Sequence, residues 1–245
     1  MSKSFPNTGA ITGTNADRLA LSGVFEGMQF FETDTNKALI YDGSSWVEIA
    51  DLDYSKNYYV FDTEANRDAA IGSPTEGMIA YLTAPTIPAA TGNGTFVPTG
   101  VTTIYNGSVW VCVTEVGAKG LDGTLYTSST SYTSTLTGDG TAVSVTLVTG
   151  TTALVSINAR GYSGAQSVTA FVSVAVSGAT TLASNNANGV MLQYPATNAL
   201  FEKDASRSFI LGGLTAGTNT FTMQAKTGTS TITLTNRHLV VKGIA

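Results

Sequence analysis

The sequence predicts a mainly β protein, with two small amino-terminal β-hairpin repeat modules followed by a carboxyl-terminal antiparallel β-sandwich of jelly-roll type. Three observations predict this. A hairpin signature occurs twice in the first half of the chain. The last hundred or so residues alternate between apolar and small polar residues, in runs separated by Gly, Asn and Ser. Charged residues make up only 12% of the chain, about half the share of an ordinary soluble domain, and Thr, Ser, Gly, Ala and Val fill the deficit. Small β-branched residues fit a pleated surface, and Gly and Asn serve its turns.

Residues 1–17 form the first segment. It is short, with Phe5-Pro6 and Gly-Thr turns and little means of ordering itself, and it is expected to anchor the chain by adding to a sheet edge on a neighbouring protein. Residues 18–50 and 67–116 are the repeat modules. Each opens with an Arg-led stretch expected to form a short helix or turn, and continues with Glu-Gly-Met, at Glu26-Gly27-Met28 and Glu76-Gly77-Met78. Each ends in one signature, Tyr41-Asp42-Gly43-Ser44-Ser45-Trp46 and Tyr105-Asn106-Gly107-Ser108-Val109-Trp110. Asp-Gly and Asn-Gly are strong hairpin signals because a type I′ turn needs positive φ at both central residues. Tyr41 with Trp46, and Tyr105 with Trp110, flank the turn and can pack across the strands. Gly27 and Gly77 mark the bend into the first strand. Such a unit of about thirty residues buries too little to stand alone and needs a neighbour.

Residues 51–66 link the modules and are aromatic at Tyr54, Tyr58, Tyr59 and Phe61, so they are expected to lie against a surface. The second module carries an insertion, residues 84–100. Pro85, Pro88 and Pro98 exclude a central strand there, which leaves a contact loop or a neutral decoration. Residues 117–140 are a Gly/Ser/Thr-rich bridge, extended or partly strand. Residues 141–245 form the sandwich domain, with eight candidate strands, the last two at Thr229–Thr235 and Leu239–Lys242. The run Val168–Val176 is small or apolar on both faces, so one face meets the core and a second subunit is expected over the other.

Nothing in the sequence argues for catalysis, a cofactor or a metal. His238 is the only histidine and Cys112 the only cysteine. His238 is expected to be structural or exposed, and Cys112, in an alternating run, a buried inert thiol. Walker, dinucleotide, His-Glu-x-x-His and Cys-x-x-Cys patterns are absent. Asp34, Asp42, Asp122 and Asp139 sit beside Gly, Thr or Asn, as in Asx turns, rather than as a paired-carboxylate site. Twelve scattered Lys and Arg within a net charge of −5 argue against a nucleic-acid partner. The longest apolar run is too short to cross a bilayer, and no apolar signal segment opens the chain.

The repeats carry a resemblance. An Arg-led segment, Glu-Gly-Met and a Tyr-(Asp/Asn)-Gly-Ser-x-Trp hairpin, from Arg18 to Val113, look like a module of tailed-bacteriophage fibre and decoration proteins. More loosely, residues 218–226 and 231–241 are similar to the final strands of trimeric jelly-roll tips on such proteins. The resemblance implies a homotrimeric virion protein, assembled in the host cytoplasm, attached to capsid or tail proteins by its amino end and displaying its carboxyl-terminal domain outward. A tail-fibre adhesin for host-surface glycans is the alternative, with Tyr162, Tyr194 and Phe201 as candidate sugar platforms. A polysaccharide depolymerase ranks below both.

Overall fold

A computed structural model describes residues 11–51, 58–120, 125–134, 136–138, 142–163, 165, 167–194, 201–228 and 230–245. The chain divides into two compact units, residues 1–58 and 59–245.

The first unit is one four-stranded sheet. Strand β1 (Ile11–Gly13) is followed by helix α1 (Asn15–Leu19), then β2 (Gln29–Glu32), β3 (Lys37–Tyr41) and β4 (Trp46–Asp51), in the order β1-β2-β3-β4. β1 runs parallel to β2, and the other pairs are antiparallel. Thr14 and Asp17 form a reciprocal capping box that starts α1. Five residues make too short a helix to persist by propensity. Arg18 fastens it to the sheet by pairing with Glu32 at 2.5 Å.

The second unit repeats this plan and extends it. Strand β5 (Tyr58–Phe61) precedes helix α2 (Glu64–Ala70), capped by Thr63, and then come β6 (Ile79–Leu82), β7 (Ala89–Thr91), β8 (Gly94–Phe96), β9 (Val101–Tyr105) and β10 (Trp110–Cys112). β10-β9-β6-β5 is again a four-stranded sheet. The described parts of the expected anchor and linker therefore supply the first strand and the helix cap of the module that follows each. First strands of three and four residues have almost no side-chain pattern, and only their pairing to the next strand defines them. The rest of those segments, residues 1–10 and 52–57, lies outside the described residues.

The remaining strands are β11 (Val116–Lys119), β12 (Leu125–Thr127), β13 (Ser144–Thr149), β14 (Thr152–Ser163), β15 (Thr169–Gly178), β16 (Gly189–Gln193), β17 (Phe201–Gly212), β18 (Gly217–Thr227) and β19 (Ile232–Ile244). One sheet runs β17-β14-β19-β11 and the other β16-β15-β18-β13. Consecutive strands of this set of eight change sheets at every connection except β15 to β16, which is the double Greek key of a jelly roll. Val145, Leu147, Val155, Ile157, Val172 and Phe221 are among the side chains fully buried between the sheets.

Three features differ from the sequence expectation. The jelly roll begins at β11, across the expected boundary between the second module and the bridge, rather than at residue 141. The expected strands Thr229–Thr235 and Leu239–Lys242 are not separate, since residues 232–235 and 239–242 both belong to β19, which passes through a register shift opposite Arg160/Gly161, and Thr229 lies outside the described residues. Asn236 and Arg237 resemble a turn in sequence, yet Arg237 is buried, with its guanidinium packed on Gly120 so closely that a Cβ there would lie 2.7 Å from Nη2. The insertion, finally, is built into the sandwich. β7 pairs with β13 and β8 with β11, so one short segment covers an edge of each sheet. Its prolines lie outside both strands, as an edge position requires.

Candidate functional site

The two hairpin modules share a backbone skeleton down to single hydrogen bonds. Gly27 N–H donates to the Tyr41 carbonyl and Gly77 N–H to that of Tyr105, each at 2.8 Å. Tyr41 N–H returns to Met28 and Tyr105 N–H to Met78, each at 2.9 Å. The turn is closed by Asp42 N–H to Ser45 in one module and Asn106 N–H to Val109 in the other. The side chain of Asp42 accepts from the N–H groups of Ser44 and Ser45, and that of Asn106 from those of Ser108 and Val109. Neither turn is type I′: φ is positive at Gly43 (97°) and Gly107 (87°) but not at Asp42 or Asn106, whose side chains cap the longer turn instead, and it is positive at Gly27 (87°) and Gly77 (88°) where the chain enters the first hairpin strand. Tyr41 packs on Trp46 and Tyr105 on Trp110 at the same 5.5 Å centroid separation. The helix arginine of each module lies over its tryptophan, Arg18 at 5.8 Å and Arg67 at 4.7 Å. The predicted residues Gly27, Tyr41, Gly43 and Trp46 thus form one cluster, and Gly77, Tyr105, Gly107 and Trp110 its counterpart.

Electrostatics separate the two. In the first module Glu32 is buried beneath α1. Burial raises its carboxyl pKa, but hydrogen bonds from Thr35 and Arg18 outweigh this and hold it below the ordinary value. Leu82 stands at that place in the second module and is fully buried. Asp42 is held down to about 2, first by the Ser45 and Ser44 amides and then by the Ser44 hydroxyl. Its counterpart Asn106 does not titrate.

Their sheet faces also differ. In the first module the register places Gln29, Ile40 and Val47 side by side, and Phe31 beside Ala38, on the face opposite α1. Among the described residues of this unit no element crosses that face, and Val47 is 43% exposed. The matching face of the second module holds Ile79, Tyr81, Ile104 and Val111. The returning insertion covers Tyr81 so tightly that a Cβ on Gly100 would meet its hydroxyl at 2.1 Å. Val111 is fully buried, with its Cγ1 2.7 Å from where a Cβ on Gly243 would be. Cys112 beside it is buried, which pushes its thiol pKa up, as expected of an inert cysteine.

On the jelly roll, Tyr194 is buried and unavailable as a sugar platform. Tyr162 is half-buried opposite Glu202, and the side chain of Phe201 lies outside the described residues. His238 lies in β19 between Asn158 and Lys119. The expected subunit contact over Val168–Val176 is partly filled by the chain itself, because buried Ser173 has its hydroxyl 2.8 Å from the carbonyls of Asn185 and Asn188. Two surface features went unread in the sequence. The outward face of the β14 sheet carries Ile210 beside Leu154, and Val240 beside Gly117 and Phe96. Ile210 and Phe96 are 59% and 58% exposed, and an open depression of about 390 Å³ lies between Phe96, Pro98, Glu115 and Val240. On the other sheet, the Lys226 ammonium sits over Tyr132 at 4.7 Å and over Phe171 at 5.4 Å, next to exposed Met191. Residues far apart in sequence build each cluster, so no local motif announces it.

Among the described residues no group of three or more His, Cys, Asp and Glu could hold a metal, and no helix is long and apolar enough to cross a membrane. No protein-family model and no curated protein matches the chain. Solved structures that resemble it include the Eiger TNF of S. frugiperda, at 9% identity over 53% of this chain and 92% of that one, with a TM-score of 0.37. The IBDV T13 viral particle matches at 11% identity over 59% of this chain and 40% of its own, with a TM-score of 0.37. A family 35 carbohydrate-binding module from an environmental isolate matches at 16% identity over 42% of this chain and 72% of its own, with a TM-score of 0.24.

Proposed function

We propose that this chain is a non-enzymatic structural component of a tailed-phage virion, a homotrimeric fibre or decoration protein held to the particle by its amino-terminal part and displaying its jelly roll outward. The observation that carries this reading is the doubled Tyr-Asx-Gly-Ser-x-Trp module, closed twice by the same hydrogen bonds, which is the feature that resembles phage virion proteins. Two separate apolar spots on the outward face of the β14 sheet, Ile210 with Leu154 and Phe96 with Val240, support self-association, because exposed apolar surface on a folded sheet often meets a partner. A ring of three copies uses two different patches on each chain, and Ile210 and Phe96 stand on opposite edge strands of one sheet.

Mass photometry of the purified chain tests the trimer: three copies are expected, and a stable monomer at micromolar concentration refutes it. Deleting residues 2–16 tests the anchor. The truncation removes β1 and part of α1, so circular dichroism must first establish that the jelly roll persists. A folded trimer that no longer joins the particle is expected, and full incorporation refutes the anchor.

A second reading rests on the Tyr132–Lys226–Phe171 cluster. Aromatic faces beside a cation and the amides of Gln224 and Asn186 are chemistry that binds sugars, in keeping with an adhesin. Glycan-array binding that disappears in Tyr132→Ala would establish it, and an array without signal would remove it.

A further inference from the structure

Strands β16, β15, β18, β13 and β7 form one sheet, and Lys226 is the only charged residue in them. The chain carries 17 Asp and Glu, yet none lies in these strands. Across the strands Phe171 has Met191 on one side and Lys226 on the other. All three alternate with buried neighbours, so they stand on the outward face. The bridge of Thr133 to Ala225 brings Tyr132 to the far side of Lys226. The ammonium lies over both rings, and among the described residues no carboxylate pairs with it. The amides beside it are set to donate. Gln224 Oε1 accepts the Ser184 hydroxyl and Asn186 Oδ1 accepts that of Tyr132, each at 2.9 Å. Each amide therefore leaves its NH2 group for a ligand.

We infer that this cluster binds a carboxylated sugar, a uronic or sialic acid residue of a surface glycan, with its carboxylate on Lys226 and its C–H face against Phe171, Tyr132 and Met191. This rests on the adhesin reading above and names the class of sugar. Sugar hydroxyls both donate and accept, so a neutral sugar meets a mixed set of partners. Here the two amide oxygens are already used, which leaves donors, and the ammonium adds a charge-assisted bond of the stronger kind. A small inorganic anion would use the ammonium but leave the rings and exposed Met191 uncovered. A sugar acid carries both the anion and an apolar face, as this mixture of apolar lining and placed polar groups requires.

A glycan array bearing uronic and sialic acid members, their methyl esters and their neutral counterparts tests this on the full chain, with inorganic phosphate as competitor. The acids are expected to bind about tenfold more tightly than their methyl esters, which keep the shape and lose the charge. Lys226→Gln should abolish that preference and Lys226→Arg should keep it, with circular dichroism confirming that both variants fold. Equal binding of acids and esters, or a preference that survives K226Q, overturns the acidic sugar and leaves the adhesin reading standing. Phosphate that displaces the glycan as well as the free sugar acid does would make this a general anion site, and that too overturns the sugar. An array without signal removes the adhesin reading and this inference with it.

Discussion

The two hairpin modules share turn glycines, aromatic pair and capped helix, yet one forms a unit of its own and the other is part of the jelly-roll unit. Their shared skeleton belongs to the signature, and their different surroundings belong to the residues the signature leaves free. Leu82, Val101 and Cys112 join the apolar core of the larger unit. At the places of Leu82 and Cys112 the first module has Glu32 and Glu48. Glu32 is kept by Arg18, and Glu48 pairs with Lys37 at 2.6 Å. One module thus has an apolar end that needs a partner domain, while the other closes its end with ion pairs.

Four experiments sharpen or break this comparison. The largest effect is expected at Val111. Val111→Asp forces a carboxylate into a fully buried site, costs more than about 4 kcal/mol, and lowers the denaturation midpoint of the larger unit. Val47→Asp, at the equivalent and exposed place, should leave the midpoint of the first module within about 0.5 kcal/mol. Equal losses at both positions would remove the distinction between a covered and an uncovered face.

Next come the tryptophans. Trp110 is buried under Arg67, and Trp110→Ala should cost roughly 3–5 kcal/mol by denaturant titration. Trp46 is only half-buried, so Trp46→Ala should cost clearly less and act on the first unit alone. The reverse order would mean that the aromatic pair, rather than its burial, sets the stability.

Glu32→Ala follows. It strips a buried carboxylate from Arg18, whose side chain is itself only 14% exposed. Breaking such a pair should destabilise the first module by about 3 kcal/mol. Glu32→Leu, which copies the second module, removes the same charge but restores apolar volume. If it rescues nothing, the unpaired Arg18 accounts for the loss rather than the empty space.

The smallest effect is acid sensitivity. The folded-state pKa of Asp42 lies near 2, below its ordinary 3.8. The stabilisation it gives is therefore complete above the ordinary value and fades as pH falls through about 2. The signals of Ser44 and Ser45 in an NMR titration should move over this range, while those of Ser108 and Val109 beside Asn106 stay fixed. Asp42→Asn should abolish the difference, and matching behaviour of both turns would show that another group governs it.

The turns, hairpins and strand alternation were legible in the sequence because they are local. A positive φ at Gly43 and Gly107, an Asx side chain reaching two and three residues ahead, and a period of two along β14 or β18 all depend on near neighbours. The sequence alone therefore determined a mainly β chain with a doubled module and a sandwich. Tertiary structure decided what those pieces touch. Ile11–Gly13 and Tyr58–Phe61 became strands because a neighbouring strand was there to pair with. Ala89–Thr91 and Gly94–Phe96 became strands because the edges of two sheets were open beside them. Asn236 and Arg237 stayed inside β19 because a register shift opposite Arg160/Gly161 absorbed the irregularity and Gly120 left room for a guanidinium. The covering of Val111 and the exposure of Val47 follow from contacts across more than a hundred residues, such as Val111 with Gly243. Pairing partners and burial at that distance leave no trace in a local pattern, since each residue's own propensity is the same whether or not its partner arrives.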